Sequence, residues 1–200
     1  MHAQRKRSVV VLAAVGAATG VLAGGIVGAN LPPGGKSVDE LHRVLAKAPM
    51  EYVADVPSGG GLPRRAIFLQ RADGYVCLWD APSAGSLTRQ GGCNLESDPL
   101  GGAEMFVSLS FDGGPTTRDI SDARIVGLAS RRVVRVAIEM SDGSRRVVSL
   151  TRARGGFRDL AVFGFRARGS DLRLGTVPTA VVALDADGRE LQRQATGLSG

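Results

Sequence analysis

The sequence predicts an all-β protein, an antiparallel β-sandwich of about eight to nine short strands behind an N-terminal transmembrane helix and a short amphipathic helix. Short runs rich in valine, isoleucine, leucine and phenylalanine recur beyond residue 62, and turn residues such as Asp-Gly separate several of them. Apolar and polar residues alternate within these runs, as in strands that bury one face. Because no long helical pattern interrupts them, the runs favour packed antiparallel sheets.

An uncharged, mostly apolar run at residues 8–29 predicts the transmembrane helix. A helix of that length spans roughly 30 Å, the thickness of the hydrocarbon core of a bilayer. The run follows the basic residues 5–7, which are expected to stay in the cytoplasm and to place residues 30–200 outside. The alternative is a secretion signal cleaved near Ala29, although such signals usually have a shorter apolar run.

Four glycines in this run share one side of the predicted helix, because they fall every four residues. They are Gly16, Gly20, Gly24 and Gly28. Small residues at that spacing let two transmembrane helices approach closely, so this glycine stripe could hold a homodimer. The alternative is coincidence, since the whole run is rich in alanine and glycine.

The chain divides into four predicted parts. They are a cytoplasmic basic segment at 1–7, the anchor or signal segment at 8–29, a linker at 30–61 and an extracytoplasmic β-sandwich domain at 62–200. The linker contains a short helix at 38–48. Ser37 and Glu40 have the spacing of a capping box, and apolar residues follow at helical intervals until Pro49.

The strands are predicted from the apolar runs. They cover residues 65–70, 75–80, 104–111, 124–129, 132–140, 145–150, 160–166, 179–185 and 189–193. Residues 51–56, in the linker, are a candidate for a further short strand before them. In the run at 104–111, we expect one face to be apolar and to carry Met105, Val107, Leu109 and Phe111.

Three Asp-Gly pairs are predicted to form tight hairpin turns, at residues 73–74, 142–143 and 187–188. A type I′ turn needs a positive φ at both central residues, which this pair tolerates. A two-residue turn at 142–143 would place Glu139 opposite Arg146 across the hairpin, where the opposite charges attract.

The charge of the exported part argues against nucleic-acid binding. The formal net charge is +6, but three of the 25 basic residues lie in the cytoplasmic segment, whereas all 19 acidic residues lie beyond it. The remaining charges nearly balance and are interspersed, unlike the clustered basic surface of a nucleic-acid-binding protein.

Cys77 and Cys93 are the only cysteines, and both fall in the exported part. An oxidising compartment favours a disulfide between them. Cys77 is predicted to lie on a strand and Cys93 in a long loop at 82–102, with Trp79 packed against the disulfide. A zinc site is not expected, because two cysteines without a nearby histidine do not complete one.

The residue types limit the possible chemistry. The sequence has no histidine after His42 and no lysine after Lys47, which excludes Ser-His, Cys-His and Ser-Lys catalysis in their usual forms in the outer domain. We expect no cofactor. A hydrolase with paired carboxylates stays possible, because six acidic residues lie in or beside the two longest loops. They are Asp80, Glu96, Asp98, Asp112, Asp119 and Asp122.

Residues 132–150, followed by residues 181–191 with their Val-Ala-Leu-Asp-Ala-Asp-Gly-Arg-Glu-Leu end, resemble uncharacterised exported or membrane-anchored proteins of actinobacteria. Those proteins have one N-terminal hydrophobic segment and a β-rich outer domain. The resemblance concerns architecture alone and implies no functional residue. The abundance of alanine, glycine and valine, with arginine in place of lysine, is similar to the composition of proteins from GC-rich bacteria such as actinobacteria.

The sequence favours a non-catalytic extracytoplasmic module, anchored through residues 9–29, that binds, senses or has a structural role in the cell envelope. Its partner would be an envelope or membrane protein, contacted through the loops 82–102 and 112–123, because loops on a rigid scaffold commonly carry recognition. The candidate contact residues are Arg89, Gln90, Asn94, Glu96, Asp98 and Asp119. The alternatives are a secreted hydrolase that uses the loop carboxylates and a structural protein that self-associates through the glycine stripe.

Overall fold

The computed structural model describes residues 38–57, 62–86, 88–113 and 120–198. No helix among these residues is both long and apolar enough to cross a membrane. The predicted transmembrane helix at 8–29 and its glycine stripe lie outside the described residues, so both stay predictions.

The described residues form two α-helices, twelve strands and a 3-10 turn at Gly155–Phe157. The elements are α1 (Val38–Lys47), β1 (Met50–Val56), β2 (Arg65–Ala72), β3 (Tyr75–Ala81), β4 (Gln90–Leu95), β5 (Met105–Gly113), β6 (Ile120–Ala129), β7 (Arg135–Met140), β8 (Arg145–Val148), β9 (Thr151–Arg152), β10 (Ala161–Arg166), α2 (Gly169–Arg173), β11 (Pro178–Leu184) and β12 (Glu190–Ala195).

The strands form three antiparallel sheets of four strands each. Sheet A has the order β1-β2-β3-β4, sheet B the order β5-β6-β10-β9 and sheet C the order β12-β11-β7-β8. The prediction of an antiparallel, mostly β protein is confirmed, with a third sheet that the sequence did not reveal. β1, which falls in the predicted linker at 30–61, pairs with β2 and belongs to sheet A.

Sheet A packs against one face of sheet B through an apolar core. The core consists of aliphatic side chains that alternate along the strands on the facing sides of the two sheets. They include Ile67, Leu69, Val76 and Leu78 of sheet A and Val126, Leu128 and Val162 of sheet B. Each fully buried side chain of this kind stabilises the fold by about 1.5–3 kcal/mol relative to an exposed one.

Sheet C packs against the other face of sheet B through a second core. It includes Ile125 and Phe163 of sheet B and Val136, Ile138 and Val181 of sheet C. Sheet B therefore lies between the other two sheets, and its central strands β6 and β10 are covered on both faces.

β5, the edge strand of sheet B, has the predicted alternation. Met105, Val107 and Leu109 pack in the core shared with sheet C. Phe111, on the same face, packs in a neighbouring apolar cluster. Phe106 points the opposite way and packs against the core shared with sheet A.

α1 covers the outer face of sheet A, where the buried Leu45 packs with Phe68 and Trp79. The buried Gln70 fixes this arrangement through its amide group. Its Nε2 donates hydrogen bonds to the backbone oxygens of Leu45 and Ala48, both at 2.7 Å. Its Oε1 accepts one from Trp79 Nε1 at 2.9 Å. These bonds satisfy carbonyl groups that a helix C-terminus leaves without an intrahelical partner.

The hairpin turns differ from one another. Asp73 and Gly74 both have a positive φ, of 53° and 79°, as the predicted type I′ turn requires. At the second Asp-Gly pair only Gly143 has a positive φ, and the Met140 N–H donates to the Ser144 oxygen around a longer loop. The register is shifted by one residue as a result, so the predicted pairing of Glu139 with Arg146 is wrong.

β4 is the main element that the sequence did not predict, since its residues lie within the predicted loop at 82–102. It pairs with β3 along its length, and Cys93 lies directly opposite Cys77. The strand divides the predicted loop into two connections at opposite ends of sheet A. The placement of Cys93 in a loop is therefore wrong.

Candidate functional site

Three arginines, two of them buried and one nearly so, lie between sheets A and B, at one end of their shared core. Arg65 belongs to β2, Arg124 to β6 and Arg166 to β10, and their side chains are 11%, 3% and 4% exposed. They are paired with Asp80, Asp112 and Asp122. We refer to these six residues as the ionic network.

Strand alternation explains why these charged side chains face the interior. Asp80 is two residues beyond Leu78 on β3, and Arg124 is two residues before Val126 on β6. Both Leu78 and Val126 belong to the core between sheets A and B, so the charged side chains extend the same row.

Asp80 connects the two sheets and is fully buried. Its Oδ1 accepts a hydrogen bond from Arg65 Nε at 2.6 Å within sheet A. Its Oδ2 accepts one from Arg124 Nε of sheet B at 2.9 Å. Burial removes the hydrogen bonds that water would donate to this carboxylate. The two charged hydrogen bonds from arginines offset that loss of hydration free energy.

Asp122 accepts bonds from two arginines. Arg166 donates from Nε to Oδ1 at 2.7 Å and from Nη2 to Oδ2 at 2.6 Å, a bidentate pair, and Arg124 Nη1 also donates to Oδ2. Burial alone would raise the pKa of Asp122, but these hydrogen bonds and charges lower it below the ordinary value. For Arg124, burial favours the neutral form, but Asp80 and the other carboxylates raise its pKa.

The ionic network also holds the bases of three connections between strands. Arg166 Nη1 donates to the Pro63 oxygen at 2.8 Å, before β2. Arg65 Nη2 donates to the Thr88 oxygen at 3.0 Å, before β4. Arg124 donates to Gln90 Oε1 at 2.9 Å and to Asp112 Oδ2 at 3.0 Å, at the end of β5. We call the end of sheets A and B where Pro63, Thr88, Gln90 and Asp112 lie the loop end.

Two of the predicted contact residues, Arg89 and Gln90, lie at the loop end. Asn94, Glu96 and Asp98 lie at or beyond the other end of β4, roughly 15–20 Å away by strand length. The structure therefore does not bring these two groups together. Asp119 lies outside the described residues.

Arg89 packs on the outer face of sheet A. Its guanidinium lies 4.7 Å from the ring centre of Trp79, a cation–π contact, and Nη1 lies 3.6 Å from Met50 Sδ. Burial lowers the pKa of Arg89. The guanidinium forms no ion pair with a described residue, so an anionic group of a partner could pair with it.

The three residues at the other end have local structural contacts. Glu96 forms an ion pair with Arg71 at 2.9 Å, and both side chains are about two-fifths exposed. Asp98 Oδ1 accepts a hydrogen bond from the Gly102 N–H at 2.8 Å, and Asn94 Nδ2 donates to the Pro99 oxygen at 3.0 Å. These bonds order the connection that leads from β4 to β5.

The predicted disulfide between Cys77 and Cys93 is present and joins the adjacent strands β3 and β4. Both cysteines are buried and pack in one cluster with Trp79, as expected. The bond therefore fixes β4, which carries Gln90 at the loop end. A disulfide of this kind is typical of an oxidising compartment.

Of the six acidic residues considered for hydrolysis, Asp80, Asp112 and Asp122 converge, all around Arg124. Glu96 and Asp98 lie elsewhere, and Asp119 is outside the described residues. Within the described ranges, no group of three or more histidine, cysteine or acidic side chains is placed to hold a metal ion.

Sequence reasoning named the three carboxylates but missed the arginines that bind them. A signal was present: Asp122 and Arg124 alternate with apolar residues on a strand whose next residues on the same face are apolar. No protein-family model, curated protein or solved structure matches the chain at a significant level. Inference about function therefore depends on the residues described above.

Proposed function

We propose that this protein is a non-catalytic, extracytoplasmic binding module, anchored in the membrane through residues 9–29, that contacts an envelope or membrane partner at its loop end. The observation that carries this proposal is the ionic network, which fixes the bases of three connections through Pro63, Thr88 and Asp112. Loops whose ends are held by a rigid scaffold lose little conformational entropy on binding, and this favours recognition.

The state of the carboxylates supports a binding role over hydrolysis. A general acid must hold a proton near the working pH, whereas arginines lower the pKa of Asp122. Both oxygens of Asp80 and both oxygens of Asp122 accept hydrogen bonds from arginines, so neither carboxylate presents a free oxygen to a substrate. Asp112, which is 59% exposed, has one oxygen bound to Arg124.

The extracytoplasmic location is supported by two independent features. The disulfide favours an oxidising compartment, and the basic residues 5–7 before the apolar run favour export of the segment that follows.

The proposal can be tested by site-specific photocrosslinking of the full chain in envelope membranes. A photoreactive amino acid would replace either Ser83, an exposed residue of the connection between β3 and β4 at the loop end, or Ser97, an exposed residue beyond the other end of β4. We expect the probe at position 83 to give a discrete, saturable protein adduct and the probe at position 97 to give none.

Asp112→Asn tests whether the ionic network supports this contact. It weakens the ion pair between Arg124 and Asp112, the exposed carboxylate of the network. We expect it to reduce the adduct at position 83 while the protein stays folded and its disulfide stays intact. Equal adducts at positions 83 and 97, or none at either, would contradict the proposal. Turnover of an envelope substrate that Asp112→Asn abolishes would instead favour the hydrolase.

A further inference from the structure

α2 and the turn after it lie beside the start of β6, at the loop end. They present an apolar side chain to solvent there. Leu172 is 2% exposed and packs with Ile120 and Ala123 at the start of β6, whereas Leu174 is 82% exposed. Leu174 is the most exposed of the large hydrophobic residues that the structure describes. A single exposed leucine is ordinary, so its surroundings decide whether it has a role.

The backbone holds Leu174 in a defined position. The Gly175 N–H donates to the Leu172 oxygen at 2.9 Å, and the Thr176 N–H donates to the Asp171 oxygen, also at 2.9 Å. Together with the positive φ of Gly175, 75°, these bonds form a Schellman motif that closes the helix. Leu174 is therefore fixed outward by the turn and does not lie at the tip of a long loop.

The charged groups around Leu174 leave a local excess of positive charge. Arg168 and Arg173 are exposed and form no ion pair with any described residue. Asp171, between them in sequence, lies 3.7 Å from Arg146. Asp142 is the exposed acidic residue on the neighbouring hairpin, and its Oδ1 already accepts a hydrogen bond from the Ser144 N–H.

A second apolar side chain lies beside the first. Leu174 and Leu198 line an open groove of about 520 Å³, whose walls also carry the hydroxyl-bearing Thr176 and Thr179 and the carboxylate of Asp142. The surface thus combines an apolar centre with hydroxyl groups and flanking arginines. Apolar side chains surrounded by basic ones favour the interface of a membrane that contains anionic lipids.

We propose that this surface docks on an anionic phospholipid bilayer, with Leu174 among the headgroups and Arg168 and Arg173 against lipid phosphates. This inference rests on the proposed function, because it specifies what the loop-end side of the anchored module faces. The charge excess and the fixed, exposed Leu174 argue for lipid over an apolar protein surface.

The test uses the full chain reconstituted in vesicles of phosphatidylcholine, with or without phosphatidylglycerol. A diazirine-bearing amino acid replaces either Leu174 or, as the matched control, Val147, which is 69% exposed on sheet C. Lipid adducts are quantified by mass spectrometry after illumination. We expect adducts from position 174 that increase several-fold with phosphatidylglycerol, and few from position 147 in either membrane.

Charge variants sharpen the test. An arginine near an anionic surface contributes about fivefold to binding. R168Q/R173Q is therefore expected to remove most of the several-fold increase that phosphatidylglycerol gives at position 174. The matched variant R154Q/R158Q removes two exposed arginines near the short 3-10 turn that also form no ion pair with described residues, and it should change nothing.

Adducts from position 174 that equal those from position 147, or that do not respond to phosphatidylglycerol or to R168Q/R173Q, would overturn lipid docking. The crosslinks from position 83 separate this result from failure of the proposed function. A protein adduct at position 83 without lipid adducts at position 174 would support the proposed binding function and would contradict docking of the Leu174 surface on lipid. A protein adduct at position 174 would identify this surface as a protein contact and would likewise reject lipid docking.

Discussion

Sheet B packs against its two neighbours in different ways. The core that it shares with sheet C consists of apolar side chains such as Phe163, Ile138 and Val181. The core that it shares with sheet A ends in the ionic network, where Asp80 and Asp122 pair with buried arginines. Apolar packing is non-directional, whereas charged hydrogen bonds fix distance and orientation. The comparison indicates that the interface with sheet A positions the loop end, while the interface with sheet C mainly contributes stability.

The largest effect is expected for Asp122→Ala. This change removes both carboxylate contacts of Arg166 and one of Arg124, and it leaves buried positive charge without compensation. We expect the free energy of unfolding to fall by about 3–5 kcal/mol, measured by urea denaturation. Amide hydrogen exchange at residues 88–90 should rise more than in sheet C.

Asp122→Ala combined with Arg166→Met controls for that result. If the loss comes from uncompensated charge, replacing the arginine by an apolar side chain of similar length should recover much of the stability. A single variant that loses less than about 1 kcal/mol would show that the interface with sheet A does not depend on the ionic network.

Acid should weaken the interface with sheet A through Asp122. Because arginines lower the pKa of Asp122 in the folded state, its contribution is fully present above the unfolded value of about 3.9 and is lost as the pH falls through the folded-state pKa. Urea denaturation between pH 7 and about pH 3 should show a steeper loss for the native protein than for Asp122→Ala. Parallel curves would mean that other carboxylates, such as Glu139, dominate this range.

A smaller effect is expected in the apolar interface. Ile138→Val removes one methylene group from the core between sheets B and C and should cost about 0.5–1.5 kcal/mol. Because no directional bond is lost, hydrogen exchange at residues 88–90 should change only in proportion to global stability. Faster hydrogen exchange at residues 88–90 alone in this variant would contradict the proposal that only the interface with sheet A positions the loop end.

The smallest effect is expected on the outer face of sheet C. Arg145 pairs with Glu139 at 2.6 Å, and its side chain is half exposed. Solvent screens such pairs, and Glu139 also binds Arg193. Arg145→Gln should therefore change the free energy of unfolding by less than about 0.5 kcal/mol by urea denaturation. A decrease in the free energy of unfolding as large as that of Asp122→Ala would show that ionic contacts stabilise sheet C as well.

Local features were predictable from the sequence, and features that depend on distant contacts were not. The turn at Asp73 and Gly74 depends on two adjacent residues and was predicted, as was the pairing of Cys77 with Cys93. β4 was missed because Gly91 and Gly92 have low strand propensity and resemble a loop. Its structural reason is tertiary: a Cβ at Gly91 would overlap the backbone oxygen of Leu78, so β4 pairs with β3 at this position only with glycine.

The candidate site was predictable only in part for the same reason. Asp80, Asp112 and Asp122 were recognised as acidic residues near loops, but Asp80 meets Arg124 and Asp122 meets Arg166 across 44 residues of sequence. No local pattern specifies such partners. The sequence did carry the simpler warning that charged residues occupy core positions of β6, and a charge there requires a compensating partner.

Gln70 has a mechanical consequence for an anchored protein. α1 is the first described element after the apolar run, and the amide of Gln70 binds it through two carbonyl oxygens. A pull from the membrane would act first on the packing of Leu45 and on these two short bonds, before it reached the hydrogen-bonded ladder between β1 and β2. In a protein anchored through the proposed segment, α1 would therefore be the first described element to detach, before the three sheets.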